Sequence, residues 1–123
     1  MKAKEFYGII PPLLSSFTKD GEIYEKGIRN LIKFSLPFVH GYYPIGTYGC
    51  GPLMSVDERK RVLEIILSEV NGRVPVVAHV GHPGTQPTLS LQNMRKRLEL
   101  LEWEPLHLIT HLTSPKRISI NIL

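Results

Sequence analysis

The residues best able to do chemistry are concentrated in one short stretch, Gly46-Thr47-Tyr48-Gly49-Cys50-Gly51-Pro52. Three glycines so closely spaced predict positive backbone angles and N–H groups that face a small anion with no side chain in the way. A carboxylate or phosphate suits such a turn, and so does a purely connective role. Thr47 adds a hydroxyl able to donate and accept a proton in a relay. Tyr48 adds a phenol that can orient a ligand or exclude solvent. The stretch is neither a GxGxxG fingerprint nor a phosphate loop ending in Lys-Ser/Thr, so nucleotide binding is not expected. The pairs His79/His82 and His107/His111 have spacings that metal ligands use, but Cys50 is remote from both, and no metal site is expected. His79 and His82 alternate across a strand end, so at most one of them faces the loops gathered there.

These residues need elements to position them, and the first 90 residues supply a regular alternation. Gly8-Ile-Ile-Pro-Pro-Leu-Leu14 is a short apolar run of strand type, and Lys19-Asp20-Gly21 is a turn signal. From Ile23 to about Phe34 the residues Ile28, Leu31 and Ile32 recur at helical spacing, and Pro37 ends the run. Val39–Ile45 is a second strand candidate, leading into the glycine-rich turn. Ser55 with Glu58 predicts a capping box, followed by Val62, Leu63, Ile66 and Val70 on one face of a second helix that closes at Asn71-Gly72. Val74–Val80 is a third apolar run, leading into Gly81-His82-Pro83-Gly84. Strands and helices in this order, with near-continuous apolar strands, predict parallel βαβ units. In such a fold the strand-to-helix loops share one end of the sheet, so Ser15–Phe17, Gly46–Pro52 and Gly81–Gly84 are expected to converge.

Composition limits the partners. A chain of 123 residues with 42% hydrophobic and 21% charged residues has room for one core and no disordered or fibrous bias. No apolar stretch approaches the roughly 18–20 residues of a membrane helix, and Met1–Tyr7 lacks the apolar segment of a signal peptide. A cytoplasmic protein without a membrane partner is expected. The single cysteine, Cys50, excludes an internal disulfide framework and fits a reducing compartment. The net charge of +4 is split evenly between residues 1–90 and 91–123, forms no basic stripe, and gives no reason to expect nucleic acid. Arg59-Lys60-Arg61 is expected on the solvated face of the second helix, beside Asp57 and Glu58.

Residues 91–123 differ in kind. All ten glycines lie between Gly8 and Gly84, and the last 33 residues contain no Gly, Ala, Val or Asp. Those are four of the five amino acids with codons that begin with G, which sets a boundary near Ser90.

Gly8–Phe17 followed by Thr18-Lys-Asp-Gly21, then Gly46-Thr-Tyr-Gly49 with Leu53-Met-Ser55 and Glu58-Arg-Lys-Arg-Val62, then Gly72-Arg-Val-Pro-Val-Val-Ala78 with Gly81, resembles the dihydrodipicolinate synthase / N-acetylneuraminate lyase family. The resemblance implies an α/β chain that forms the N-terminal part of a (β/α)8 TIM barrel, about three βα units and incomplete. It also implies a lyase or aldolase that binds pyruvate or a related 2-oxo acid through a lysine Schiff base, without a cofactor, in a homo-oligomeric parent. In that family the second strand ends in Gly-Thr-Thr-Gly-Glu. By resemblance Thr47 is the relay hydroxyl and a carboxylate ligand, and Gly46 and the Tyr48 backbone complete the anion cradle. Tyr48 replaces the second Thr. Gly-x-Gly-Pro at residues 49–52 looks more like the 2-keto-3-deoxygluconate aldolase branch.

The family's imine-forming lysine and its tyrosine acid/base come from strands beyond the third, and no lysine here falls at a strand end, where burial would lower its pKa. Barrels of this kind take about 250 residues. The expectation is therefore a truncated family member comprising residues 1–90, with 91–123 as a frameshifted tail. Reading the last base of each codon with the first two of the next, with suitable synonymous codons for residues 92–106, restores the Ala-Lys-Lys-Ala-Gly-Ala type of helix that the family has at this point. The alternative is a non-enzymatic product, inert or at most a binder of small anions.

Overall fold

The structure, a computed structural model, describes residues 7–82 and 84–99. Its regular elements are β1 (Pro12–Leu13), α1 (Glu25–Ser35), β2 (Tyr43–Pro44), α2 (Val56–Val70) and α3 (Thr85–Glu99), with single 3-10 turns at Leu36–Phe38 and Gly51–Leu53.

β1 and β2 are parallel, with Pro12 opposite Tyr43 and Leu13 opposite Pro44. An isolated parallel bridge between Tyr42 and Val76 sets the third apolar run on the other side of the second. The three runs are thus neighbours in chain order, as successive βα units require. The regular strands are much shorter than the apolar runs at 8–14, 39–45 and 74–80, and the third run holds only the bridge. Prolines explain much of this, since Pro11, Pro12, Pro44 and Pro75 have no N–H to give a ladder. Hydrogen bonds between the prolines keep the runs together: His40 N–H to the Ile9 carbonyl (2.7 Å), Tyr42 N–H to Pro75 (2.9 Å), Val77 N–H to Tyr42 (2.8 Å) and His79 N–H to Pro44 (3.3 Å).

α1 begins two residues later than its periodicity suggests because Ile23 and Tyr24 are engaged elsewhere. Ile23 bridges Phe17 across the Lys19-Asp20-Gly21 turn, and Tyr24 N–H donates to the Ser16 carbonyl at 2.8 Å. Ile28 and Ile32 are fully buried on its inner face. Ser35 Oγ and Tyr42 Oη, 2.6 Å apart, join the end of α1 to the second run. On the outer side Arg29 pairs with Glu25 (2.7 Å) and with Glu69 of α2 (3.0 Å), while Arg61 of α2 reaches Glu25 (2.7 Å). The predicted cationic face of α2 is therefore partly an interhelical ion-pair surface.

α2 starts at the predicted capping box. Ser55 Oγ accepts from Glu58 N–H (3.2 Å), and the Glu58 carboxylate accepts from Ser55 N–H (2.7 Å). Asn71 ends the helix in the left-handed conformation at φ 49°, and Arg73 Nε donates to the Val70 carbonyl (2.9 Å). Ser55→Ala removes one half of the box and is expected to lower stability by about 1 kcal/mol, read as a shift of the urea midpoint with the slope unchanged.

Val62, Leu63, Ile66 and Val70 pack with Leu13, Ile28, Ile32, Tyr42, Ile45, Val76, Ala78 and Val80 into one core. Arg59 corrects the sequence expectation. It lies on the inner face of α2 and is 1% exposed, not solvated like Arg61. α3 spans Ser90, where the composition changes, and Leu91 is buried in the same core. Lys60 Nζ also donates to Ser90 Oγ at 2.7 Å. His107 and His111 lie outside the described residues. Among the described residues no helix is long and apolar enough to cross a membrane.

Candidate anion-binding turn

β2 delivers the chain into the glycine-rich turn, and two backbone bonds close it. Cys50 N–H donates to the Thr47 carbonyl (3.1 Å) and Gly51 N–H to the Gly46 carbonyl (2.9 Å). The glycines do not act as the sequence predicts. Positive φ falls on Ile45 (52°) and Cys50 (59°), not on Gly46, Gly49 or Gly51. Gly49 and Gly51 are needed for close approach instead. A Cβ on Gly49 would come within 2.7 Å of the Ile45 nitrogen and 2.9 Å of the Leu13 carbonyl oxygen. On Gly51 it would lie 1.9 Å from the Ile45 oxygen. The turn is folded back on its own entry point.

Ile45 is a β-branched residue in the left-handed region, a conformation that costs of order 1–3 kcal/mol and persists where its surroundings over-determine it. Its side chain is fully buried in the core. The strain thus sits immediately before the residues with the candidate chemistry.

Among the described residues the N–H groups of Gly46, Thr47 and Tyr48 and the Thr47 hydroxyl make no hydrogen bond. Thr47 and Tyr48 are exposed, Tyr48 at 73%. Free donors in succession on a turn make a cradle for an anion. They border a cleft of about 320 Å3 lined by Ile10, Pro12, Tyr43, Gly46, Thr47, Tyr48 and His79. All three sequence candidates, Gly46, Thr47 and Tyr48, are therefore in one place. The first loop joins them through Ser15 Oγ, which donates to the Gly49 carbonyl at 2.7 Å. The third contributes His79 from its strand end. His82 is exposed, and its Nδ1 accepts from Gly84 N–H at 2.9 Å. The alternation argument for the two histidines thus holds, with His79 as the inward one.

The sequence did not single out Tyr43, Ile45 or the contact between Arg59 and His79. The Tyr43 ring packs against Gly46, where a Cβ would come within 2.8 Å of it, and burial pushes its phenol pKa up, so the phenol stays a proton donor at neutral pH. Burial also lowers the His79 pKa from its ordinary 6.5. The nearby Arg59 charge lowers it further, and a hydrogen bond to the Ile45 backbone opposes both. His79 is thus neutral in the folded chain near neutrality. A depressed histidine pKa means the unfolded chain takes up the proton first on acidification. Its contribution to stability is complete above about pH 6.5 and is lost as pH falls through that value towards the lower folded one. A signal for Tyr43 and His79 was present in their places at the carboxyl ends of apolar runs; none marked Arg59.

No lysine lines the cleft among the described residues. The free amides and the Thr47 hydroxyl thus border a cleft with a neutral imidazole and a phenol close by.

Residues 5–98 match the dihydrodipicolinate synthetase family. Over 86 residues the chain is 43% identical to a 4-hydroxy-tetrahydrodipicolinate synthase of Methanopyrus kandleri, covering 68% of this chain and 29% of that protein. It is 38% identical over 86 residues to an N-acetylneuraminate lyase of Clostridium perfringens, covering 68% of this chain and 30% of the lyase. Among solved structures, YagE of Escherichia coli K12, a prophage protein of the dihydrodipicolinic acid synthase family in complex with pyruvate, superposes with a TM-score of 0.73 at 29% identity. That match covers 76% of this chain and 32% of YagE. The chain spans less than a third of the length of the curated relatives it matches. Its described residues have the fold of part of a (β/α)8 barrel.

Proposed function

This chain belongs to the dihydrodipicolinate synthetase family, and on that premise we propose that its Gly46–Gly51 turn holds the carboxylate of pyruvate or a related 2-oxo acid in a Schiff-base lyase or aldolase. The observation that carries this reading is the row of free N–H groups at Gly46, Thr47 and Tyr48, beside the free Thr47 hydroxyl, on a cleft at the carboxyl end of β2. A carboxylate in the turn accepts from these amides and from Thr47 Oγ–H. By resemblance Thr47 also relays a proton at the neighbouring 2-oxo group, to the oxygen that leaves as water when the imine forms and during the making or breaking of the carbon–carbon bond. The pyruvate bound by YagE supports the ligand class.

The reaction itself begins when a lysine amine condenses with the 2-oxo carbonyl, with loss of water. No cleft-lining residue described here supplies that amine. The chain's share of the chemistry is thus binding, orientation and proton relay, and the imine must come from elsewhere in the parent enzyme. The parent is a homo-oligomer on this reading. Gly49-Cys50-Gly51-Pro52 favours the 2-keto-3-deoxygluconate aldolase branch over the synthases, because the family's usual Glu is absent from the turn.

Borohydride reduction in the presence of pyruvate tests the division of labour. The 123-residue chain is expected to show no lysine adduct in its mass spectrum, whereas a complete aldolase of the family in the same tube is labelled. A reduced pyruvyl-lysine on this chain would contradict the assignment.

A further inference from the structure

The buried Arg59 has no carboxylate partner among the described residues. Its guanidinium donates to the His79 carbonyl (2.7 Å) and the Gly81 carbonyl (2.9 Å) and lies 3.4 Å from His79 Nδ1, while Nε is left without a partner. Burying a charge in this way is costly unless its donors are satisfied. Two of the donors tie the end of the third run to α2. The remaining contact bears on the imidazole. Arginine can only donate, so this contact favours His79 Nδ1 as the acceptor and the single proton of the neutral ring on Nε2. The imidazole lines the same cleft as Gly46, Thr47 and Tyr48. The Tyr43 ring stands edge-on to the imidazole, 6.2 Å between centroids, and limits its rotation.

We propose that Arg59 is the positioning residue of this site: it holds His79 in the Nε2–H form, so that the cleft wall beside Gly46, Thr47 and Tyr48 presents a hydrogen-bond donor to an anion. This rests on the carboxylate-binding reading of the turn. The other groups facing His79 are Arg59 from α2 and Tyr43 from β2, and neither is an anion that would stabilise the doubly protonated ring. Arg59 touches no ligand. It acts through His79 and through its fixed positive charge behind the cleft wall, which complements an anion in the turn.

The test is a long-range 1H–15N correlation of the histidine rings in the 15N-labelled 123-residue chain, with His79 assigned by loss of its signals in His79→Gln. At pH 7 the unsubstituted chain is expected to show a protonated Nε2 and a bare Nδ1. Arg59→Met is expected to give a mixture of tautomers and at least tenfold weaker pyruvate binding. Arg59→Lys, which restores a buried donor and a charge, is expected to recover most of both. A ring protonated at Nδ1 in the unsubstituted chain overturns the inference even if Arg59→Met does not fold. So does an unchanged tautomer in a folded Arg59→Met. Pyruvate binding together with the wrong tautomer leaves the carboxylate reading standing and removes only Arg59 from it. The right tautomer with no pyruvate binding removes the carboxylate reading and leaves the Arg59–His79 contact.

Discussion

Gly51→Ala is expected to destabilise the chain by about 3 kcal/mol, the upper end of the usual cost of forcing volume into a packed region. The new Cβ would lie 1.9 Å from the Ile45 carbonyl oxygen and 3.2 Å from that of Gly46. Both are backbone atoms, so no side chain can swing aside. The turn has to open, which breaks the Gly51 N–H to Gly46 carbonyl bond. It also moves Ile45 from the position in which the core holds it. Gly84→Ala is the matched comparison. There the Cβ meets only side-chain atoms of Pro87 and His82 at 3.3 Å or more, and the expected change is within about 0.5 kcal/mol. Urea unfolding of the two variants followed by tryptophan-independent far-UV dichroism separates them. Equal midpoints would mean that the turn does not fold back on Ile45.

Thr47→Val is expected to leave stability within about 0.5 kcal/mol and to weaken pyruvate binding about tenfold or more. Thr47 is exposed and its hydroxyl has no partner in the described fold, so removing it breaks nothing internal. A hydrogen bond to a carboxylate contributes about 1.5–3 kcal/mol, and 1.4 kcal/mol is a factor of ten. Valine keeps the branched shape at the strand end, which confines the change to the hydroxyl. Affinity unchanged in Thr47→Val would assign the anion to the backbone amides alone and leave no ligand role for Thr47.

Much of the fold is legible in the residues. The Ser55/Glu58 box, the Ile28/Ile32 face of α1 and the Asn71-Gly72 stop are local signals, and local physics decides them. The strands are less so. An apolar run says that a segment is buried, but Pro11, Pro12, Pro44 and Pro75 decide how much of it can form a ladder, and register depends on neighbours remote in sequence. The site divides the same way. Gly46, Thr47 and Tyr48 are visible as a cluster because one turn contains them. The reason for the glycines is not visible, since close approach to Ile45 and Leu13 is a property of the folded backbone. Arg59 is hidden most deeply. Between Glu58 and Lys60 it reads as one more charge on a polar face, and only the helix register against His79 buries it. His79 itself carried a hint, an inward position at the end of an apolar run.

The carboxylate reading is decided at the Gly46–Gly51 turn. A titration of the 15N-labelled 123-residue chain with pyruvate, followed by amide shifts, addresses it most directly. Saturable shifts are expected at Gly46, Thr47 and Tyr48, with a smaller response at His79 and a dissociation constant of about 1 mM, equivalent to about 4 kcal/mol of binding. Acetate is expected to compete for the same amides, because the carboxylate is the group held. A folded chain whose Gly46–Tyr48 amides do not move while pyruvate rises well beyond that concentration would contradict the claim that this turn is the carboxylate site.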